Sequence, residues 1–302
     1  MTKKMIAVGL GEVLFDVVKG QYCLGGAPAN FAFHCKELGI RSYAIASVGQ
    51  DSLGDLAIKK LGPIADFISK AQPPFATGCV HANIDELGHA TYIFDDDCAF
   101  DHLILDEKQL ELAKDCTLIS FGTLCQRHTQ SRKAIYEFLN AASGALKIFD
   151  VNLRADFYSQ ELITASLKYC DLLKVSDEEL PVICSMLSIK APSKNEQELG
   201  DLLHQLYTTL SLNFGVQGVA LTRGEMGSEI YFKGELSKMK APVIEVSDTI
   251  GAGDSFGAAL GCALVSGASL QQAHAIATAV SAYVCTKAGA MVPLPPELSK
   301  AL

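Results

Sequence analysis

The sequence predicts an α/β fold, with a mostly parallel central sheet, helices on both of its faces and a small β lid above it. Short apolar, β-branched runs alternate with segments of helical period, which is the pattern of parallel strands joined by crossover helices. Two stretches near the start of the chain break that alternation. No repeat and no Pro- or Ser-rich linker divides the 302 residues, so residues 1–302 are expected to form one domain with lid strands inserted at about 12–24 and 77–100.

Met5 to Val8 is the first expected strand, and Val13 to Val18 begins the lid. Ala27 to Leu38 places apolar residues at helical spacing, with Pro28 in the first turn and Gly39 at the stop position. Tyr43 to Val48 is the next strand. Asp55 to Leu61 is a helix that ends at Gly62. Cys79 to Ile84 and Ala90 to Phe94 flank the turn-rich Asp85-Glu86-Leu87-Gly88 with no helix between them, so they are expected to be antiparallel lid strands. Thr117 to Phe121, Leu146 to Val151, Leu172 to Val175 and Val216 to Thr222 continue the buried sheet, and Val243 to Val246 is also strand-like. Ser255 to Thr286 contains no Asp, Glu, Lys or Arg, but Gly267, Ser269, Gln271, Gln272 and His274 divide it into two buried helices rather than one membrane span.

Composition narrows the function. Lys+Arg number 25 against 34 Asp+Glu, giving a net charge of −9 with no basic cluster, which argues against a nucleic-acid partner. The ten cysteines lack CxxC spacing and read as reduced thiols of a cytoplasmic protein. The apolar stretch from Met5 to Leu10 is too short for a signal-peptide core, so neither export nor membrane attachment is expected. The seven histidines show no ligand spacing and read as structural or surface residues.

The most informative segment is Asp248-Thr249-Ile250-Gly251-Ala252-Gly253-Asp254-Ser255-Phe256-Gly257, a glycine turn opening an apolar helix. Unpaired N–H groups and the helix dipole suit such a turn to a phosphate. Asp254 admits two readings: an acid that complements the dipole, or a general base beside a bound phosphoryl group. Three competitors fail. Gly253 to Gly257 matches a G-x-S-x-G elbow, but Glu297 follows His274, which is the wrong triad order. Gly9-Leu10-Gly11 has Leu14 in place of the third glycine of a dinucleotide fingerprint, and no G-x-x-x-x-G-K-[ST] occurs. Upstream, Gly25-Gly26 precedes the first long helix, with Asp16 and Asn30 able to hydrogen-bond a polyol.

These two glycine motifs resemble those of the PfkB, or ribokinase-like, family of carbohydrate kinases, and among them bacterial fructokinases. The resemblance runs through nearly the whole chain, in the order Gly11-Glu12 with Asp16, Gly25 to Asn30, Gly49-Gln50-Asp51 with Gly54, Asp150 to Arg154, Lys174 to Glu179, Thr222 to Gly227, and Asp248 to Asp254. It implies a three-layer α/β/α ribokinase-like sandwich with a small β lid and an ATP-dependent sugar kinase, most similar to those acting on fructose. By resemblance, Asp254 is the base, and Gly251, Ala252 and Gly253 stabilise the transferring phosphoryl group. Asp16, Gly26, Asn30 and Arg154 match sugar-site positions. Lys174, Thr222, Arg223, Gly224 and Gly227 match the nucleotide site. Glu179 matches the acid linked to Mg²⁺ through water, and Asp248 the neighbourhood of a monovalent cation, potassium. A lid-mediated homodimer is also implied. Ser176 and Ile250 depart from the family's usual Asn and Thr. Asp95-Asp96-Asp97 stands where fructokinase-like chains place a basic and polar stretch, which would disfavour a phosphorylated acceptor.

Overall fold

Strand and helix alternate along the residues that this computed structural model describes, 4–84, 90–189 and 196–302. The N-terminal part holds β1 (Ile6–Leu10), β2 (Leu14–Val18), β3 (Gln21–Gly25), α1 (Ala27–Glu37), β4 (Arg41–Ile45), β5 (Ser47–Val48), α2 (Ser52–Leu61), β6 (Ser69–Lys70), β7 (Cys79–Ile84) and β8 (Ala90–Phe94). The middle holds α3 (Glu107–Asp115), β9 (Leu118–Phe121), α4 (Thr129–Ala141), β10 (Leu146–Asp150), α5 (Gln160–Leu167), β11 (Leu172–Ser176), α6 (Leu180–Met186) and α7 (Glu196–Phe214). Last come β12 (Gly218–Thr222), β13 (Ser228–Phe232), β14 (Glu235–Met239), α8 (Ala252–Val265), α9 (Leu270–Cys285) and α10 (Pro296–Ser299). The expected turn Asp85-Glu86-Leu87-Gly88 lies outside the described residues.

The main sheet runs β14-β13-β12-β11-β10-β9-β1-β4. β4, β1, β9, β10, β11 and β12 are mutually parallel, and β13 and β14 are added antiparallel at one edge. Alternation along each strand divides the core into two layers. Val8, Ile119, Phe149, Leu173 and Val219 face the layer of α3 to α7. Ala7, Leu118, Ile148, Leu172 and Ala220 face α1, α8 and α9. Both faces are apolar, so the strands read as continuous hydrophobic runs.

The lid is a separate sheet in the order β3-β2-β7-β8. β2–β3 and β7–β8 are antiparallel hairpins, as expected, but β2 and β7 pair in parallel, with Phe15 opposite Cys79. The chain between them passes through α1, β4 and α2 and returns in the same direction, which hairpin signals alone do not encode. Val13, Phe15 and Val17 seat the lid on Ala29, Ala44 and Ala57.

Two expectations are corrected. Tyr43 to Val48 is interrupted at Ala46, whose carbonyl accepts Ser69 N–H at 3.0 Å. Val243 to Val246 is not a strand: Pro242 offers no N–H, and Val243 is fully exposed. The apolar Ser255–Thr286 stretch is split between α8 and α9, whose start is capped by Ser269. No helix among the described residues is long and apolar enough to cross a membrane. All ten cysteines are free, and eight are buried.

Candidate active site

Parallel strands deliver their carboxyl ends to one edge, where open α/β sheets bind ligands. Here a cavity of about 1050 Å³ lies between that edge and the inner face of the lid, which contributes Leu14, Asp16, Val80 and Tyr92. Asn30, Arg154, Lys174, Gly251, Gly253 and Asp254 line the opposite side. The residues expected for the sugar site and for catalysis therefore meet in one place.

The start of α8 is fixed by its turn. Gly251 is the N-cap in left-handed conformation (φ 77°), and a side chain there would meet Ala290 Cα at 2.7 Å. Asp248 holds the turn from below, accepting Ile250 N–H at 2.7 Å and Gly289 N–H at 2.9 Å. Ala252 is corrected as an anion-binding donor, because its N–H already donates to Thr249 O at 3.2 Å. Among the described residues, Gly251 and Gly253 N–H have no protein acceptor. Asp254 follows in the first helical turn, where Asn30 Nδ2 donates to its Oδ2 at 2.8 Å. Asn30 is buried and its own Oδ1 has no partner. Gly26 makes this geometry possible. Its φ is 106°, and a Cβ there would lie 2.5 Å from Glu12 O.

Lys174 occupies a different place from a nucleotide-binding loop. It is buried in β11 beneath α8, and its Nζ donates to both carboxylate oxygens of Asp150, at 2.8 and 2.9 Å. The same Nζ lies 3.0 Å from where a Cβ on Gly253 would sit. Burial alone would lower the lysine's affinity for its proton, but Asp150 outweighs this and raises it above the ordinary value. Burial pushes Asp150 up to about 6 against the pull of Lys174. A charged ammonium thus sits under the turn, next to Asp254.

Sequence reasoning carried two acids, Glu12 and Asp150, within its motifs but gave neither a role. Glu12 follows β1 by two residues, lines the cavity and is 3% exposed. Burial, then the nearby Asp254, push its carboxyl up to about 7 against backbone N–H groups and Arg154. Burial also raises Asp16, opposed by Arg154. The sequence signal for a role was their place within those motifs, each just past the carboxyl end of an apolar run or at its end.

Thr222, Arg223, Gly224 and Gly227 lie at and just past the end of β12, the strand next to the Lys174 strand, and do not line this cavity. Arg223 is neither solvated nor free. Its Nη2 donates to Glu229 at 3.1 Å, and Lys238 closes on the other oxygen of Glu229 at 2.7 Å. Glu179 accepts Leu153 N–H and Ser176 N–H, each at 2.8 Å, joining the loops after β10 and β11, while its neighbour Glu178 lines the cavity. The three lid aspartates do not line the cavity. Asp95 accepts Cys79 N–H at 2.9 Å and pairs with His81, and Asp97 pairs with His102.

Comparison with known proteins accords with this geometry. The family described as pfkB family carbohydrate kinase matches residues 5–297. A probable fructokinase-4 of Arabidopsis thaliana is 28% identical, over 98% of this chain and 95% of that one. An ATP-dependent 6-phosphofructokinase of Thermoanaerobacterium thermosaccharolyticum is 26% identical, over 97% and 92%. Among solved structures, a fructokinase from Xylella fastidiosa with bound ATP shares the fold, with a TM-score of 0.83 at 21% identity, over 99% and 97% of the two chains.

Proposed function

Because this chain belongs to the pfkB family of carbohydrate kinases, we propose that it transfers the γ-phosphoryl group of ATP to a primary hydroxyl of a monosaccharide, with fructose as acceptor and fructose 6-phosphate as product. The observation that carries this reading is the Asn30–Asp254 pair. Asn30 holds one oxygen of Asp254, leaving the other for a hydroxyl, and its own buried Oδ1 lacks the O–H donor that a sugar supplies. The acceptor oxygen attacks the γ-phosphorus, its proton passes to Asp254, and the bond to the bridging oxygen breaks to release ADP. Free N–H groups at Gly251 and Gly253, with Lys174 beneath, stabilise the charge that develops. The nucleotide extends from this centre towards Thr222, Gly224 and Gly227, along the row of strand ends.

The cavity favours an acceptor without a phosphate. Glu12, Asp16 and Asp254 surround it, while the Lys174 ammonium is committed to Asp150, leaving Arg154 as the other cation among its lining residues. Magnesium neutralises triphosphate charge when bound. Glu179 suits an indirect role towards it, since each carboxylate oxygen already accepts a backbone N–H and retains a lone pair for a metal-bound water. Potassium near Asp248 would be held by loop carbonyls, with the Asp248 carboxylate fixing the turn through Ile250 N–H and Gly289 N–H. The exposed Tyr22 and Ile93 at the two lid edges support a homodimer, and the free thiols support a reducing, cytoplasmic setting.

The test is ADP release with Mg-ATP, in potassium or sodium buffer, against fructose, fructose 6-phosphate, ribose, glucose, 2-keto-3-deoxygluconate and adenosine. Light scattering of the same sample reads the oligomeric state. Fructose turnover is expected, and Asp254→Asn should fold yet lose on the order of 10²-fold or more in kcat. Near-normal turnover in that variant would remove Asp254 as the base, and turnover confined to another acceptor would overturn fructose.

A further inference from the structure

Away from the cavity, at the root of the lid, three residues that no short motif connects come together. Asp97 lies just past β8, His102 ends a short helical turn at Ala99–His102, and His128 caps the start of α4. One potential ligand atom from each lies within 4.8 Å of the others. His102 Nε2 donates to Asp97 Oδ1 at 2.6 Å. The His102 and His128 rings are 4.8 Å apart between centroids.

The His102 ring is held in place. Its face stacks on Phe75 at 3.4 Å between centroids, and its Nδ1 meets Gln130 Oε1 at 3.4 Å. An outer oxygen on Nδ1 is the usual way in which a ligating histidine is oriented to offer Nε2. Asp97 and His128 are exposed and can adjust by side-chain rotation, whereas the His102 side chain is 12% exposed.

We propose that Asp97, His102 and His128 form a binding site for a divalent transition-metal ion of the zinc type, with a fourth position open to water. Two imidazoles and a carboxylate suit Zn²⁺ and not Mg²⁺, which takes oxygen ligands, so the site is chemically distinct from the nucleotide's metal. Tetrahedral zinc with bonds of about 2.0–2.2 Å sets its ligand atoms roughly 3.3 Å apart. Asp97 must therefore move slightly away from His102, and His128 must close by about 1–1.5 Å, both within side-chain reach. The ion takes the place of the proton between His102 Nε2 and Asp97, and the ring keeps a proton on Nδ1, where Gln130 Oε1 accepts it. It would join the segment leaving the lid to the start of α4.

The experiment titrates the chelator-stripped full chain with Co²⁺, read by its visible absorption, and then displaces it with Zn²⁺. The expected result is one saturable equivalent with the intense bands of tetrahedral cobalt, weakened roughly tenfold or more in His128→Ala and in Asp97→Asn. Gln130→Ala should weaken binding without removing a ligand. Absence of saturable binding, octahedral spectra, or equal affinity in His128→Ala would each overturn the proposal. The readout is independent of kinase activity, so it stands or falls apart from the proposed acceptor.

Discussion

Replacing Lys174 with Met removes the one cation that faces Asp150 at 2.8 Å, in a place where the two side chains are only 8% and 10% exposed. A carboxylate left buried and unpaired costs about 3–5 kcal/mol. Asp150 can escape part of this by taking up a proton, because burial already pushes it to about 6 with Lys174 present. The loss at pH 7 should therefore be about 3 kcal/mol, or a fall in Tm of roughly 5 °C for a domain of this size, and it should shrink at pH 5. Calorimetry on the wild type, Lys174→Met, Asp150→Asn and the double variant reads the coupling directly. The double variant should recover much of the stability yet remain slow, with kcat down on the order of 10²–10³-fold, because the cation under Gly253 is gone. A double variant as unstable as Lys174→Met would refute the ion-pair reasoning, and one with wild-type turnover would make Lys174 purely structural.

Two buried groups should give the stability opposite pH slopes. Glu12, raised to about 7 from 4.5, holds a proton in the folded state that the unfolded chain releases, so it costs about 3 kcal/mol as pH rises from 4.5 to 7. His274, buried between Ser228 and Ser237 and lowered to about 4 from 6.5, costs about 3 kcal/mol as pH falls from 6.5 to 4. Denaturant titrations at pH 4.5 and 6.5 should therefore show Glu12→Gln gaining stability with pH relative to wild type and His274→Gln losing it; parallel slopes in all three would contradict both assignments. Gly26→Ala should destabilise by about 1–3 kcal/mol through its positive φ and the contact with Glu12 O. Since α1 carries Asn30, its KM for the acceptor should rise more than that for ATP, and an equal rise in both would count against the placement.

The alternation of strand and helix was legible because both faces of the parallel sheet are buried, and each strand therefore appears as an apolar run. The glycine turn before α8 was legible for a related reason, since few other sequences open a helix that way. What escaped depended on partners that no local pattern names. Pro242 was the local sign against a strand at Val243, and nothing near Arg223 announces Glu229 as its counter-ion. Lys174 was placed with the nucleotide by motif order, yet register sets it level with Asp150 on the adjacent strand. Ala252 was lost as a donor to a single turn hydrogen bond. Asp97, His102 and His128 are separated by loops, so their meeting depends on the packing of Ala99–His102 against α4.

The parallel pairing of β2 with β7 has a practical consequence for anyone wishing to redesign acceptor choice. The roof of the cavity is assembled from two separate pieces of chain, β2 with β3 and β7 with β8, which lie side by side and meet across that one junction. Transplanting a relative's roof onto this protein would require two coordinated splices, and exchanging one piece alone would leave mismatched neighbours at Phe15 and Cys79.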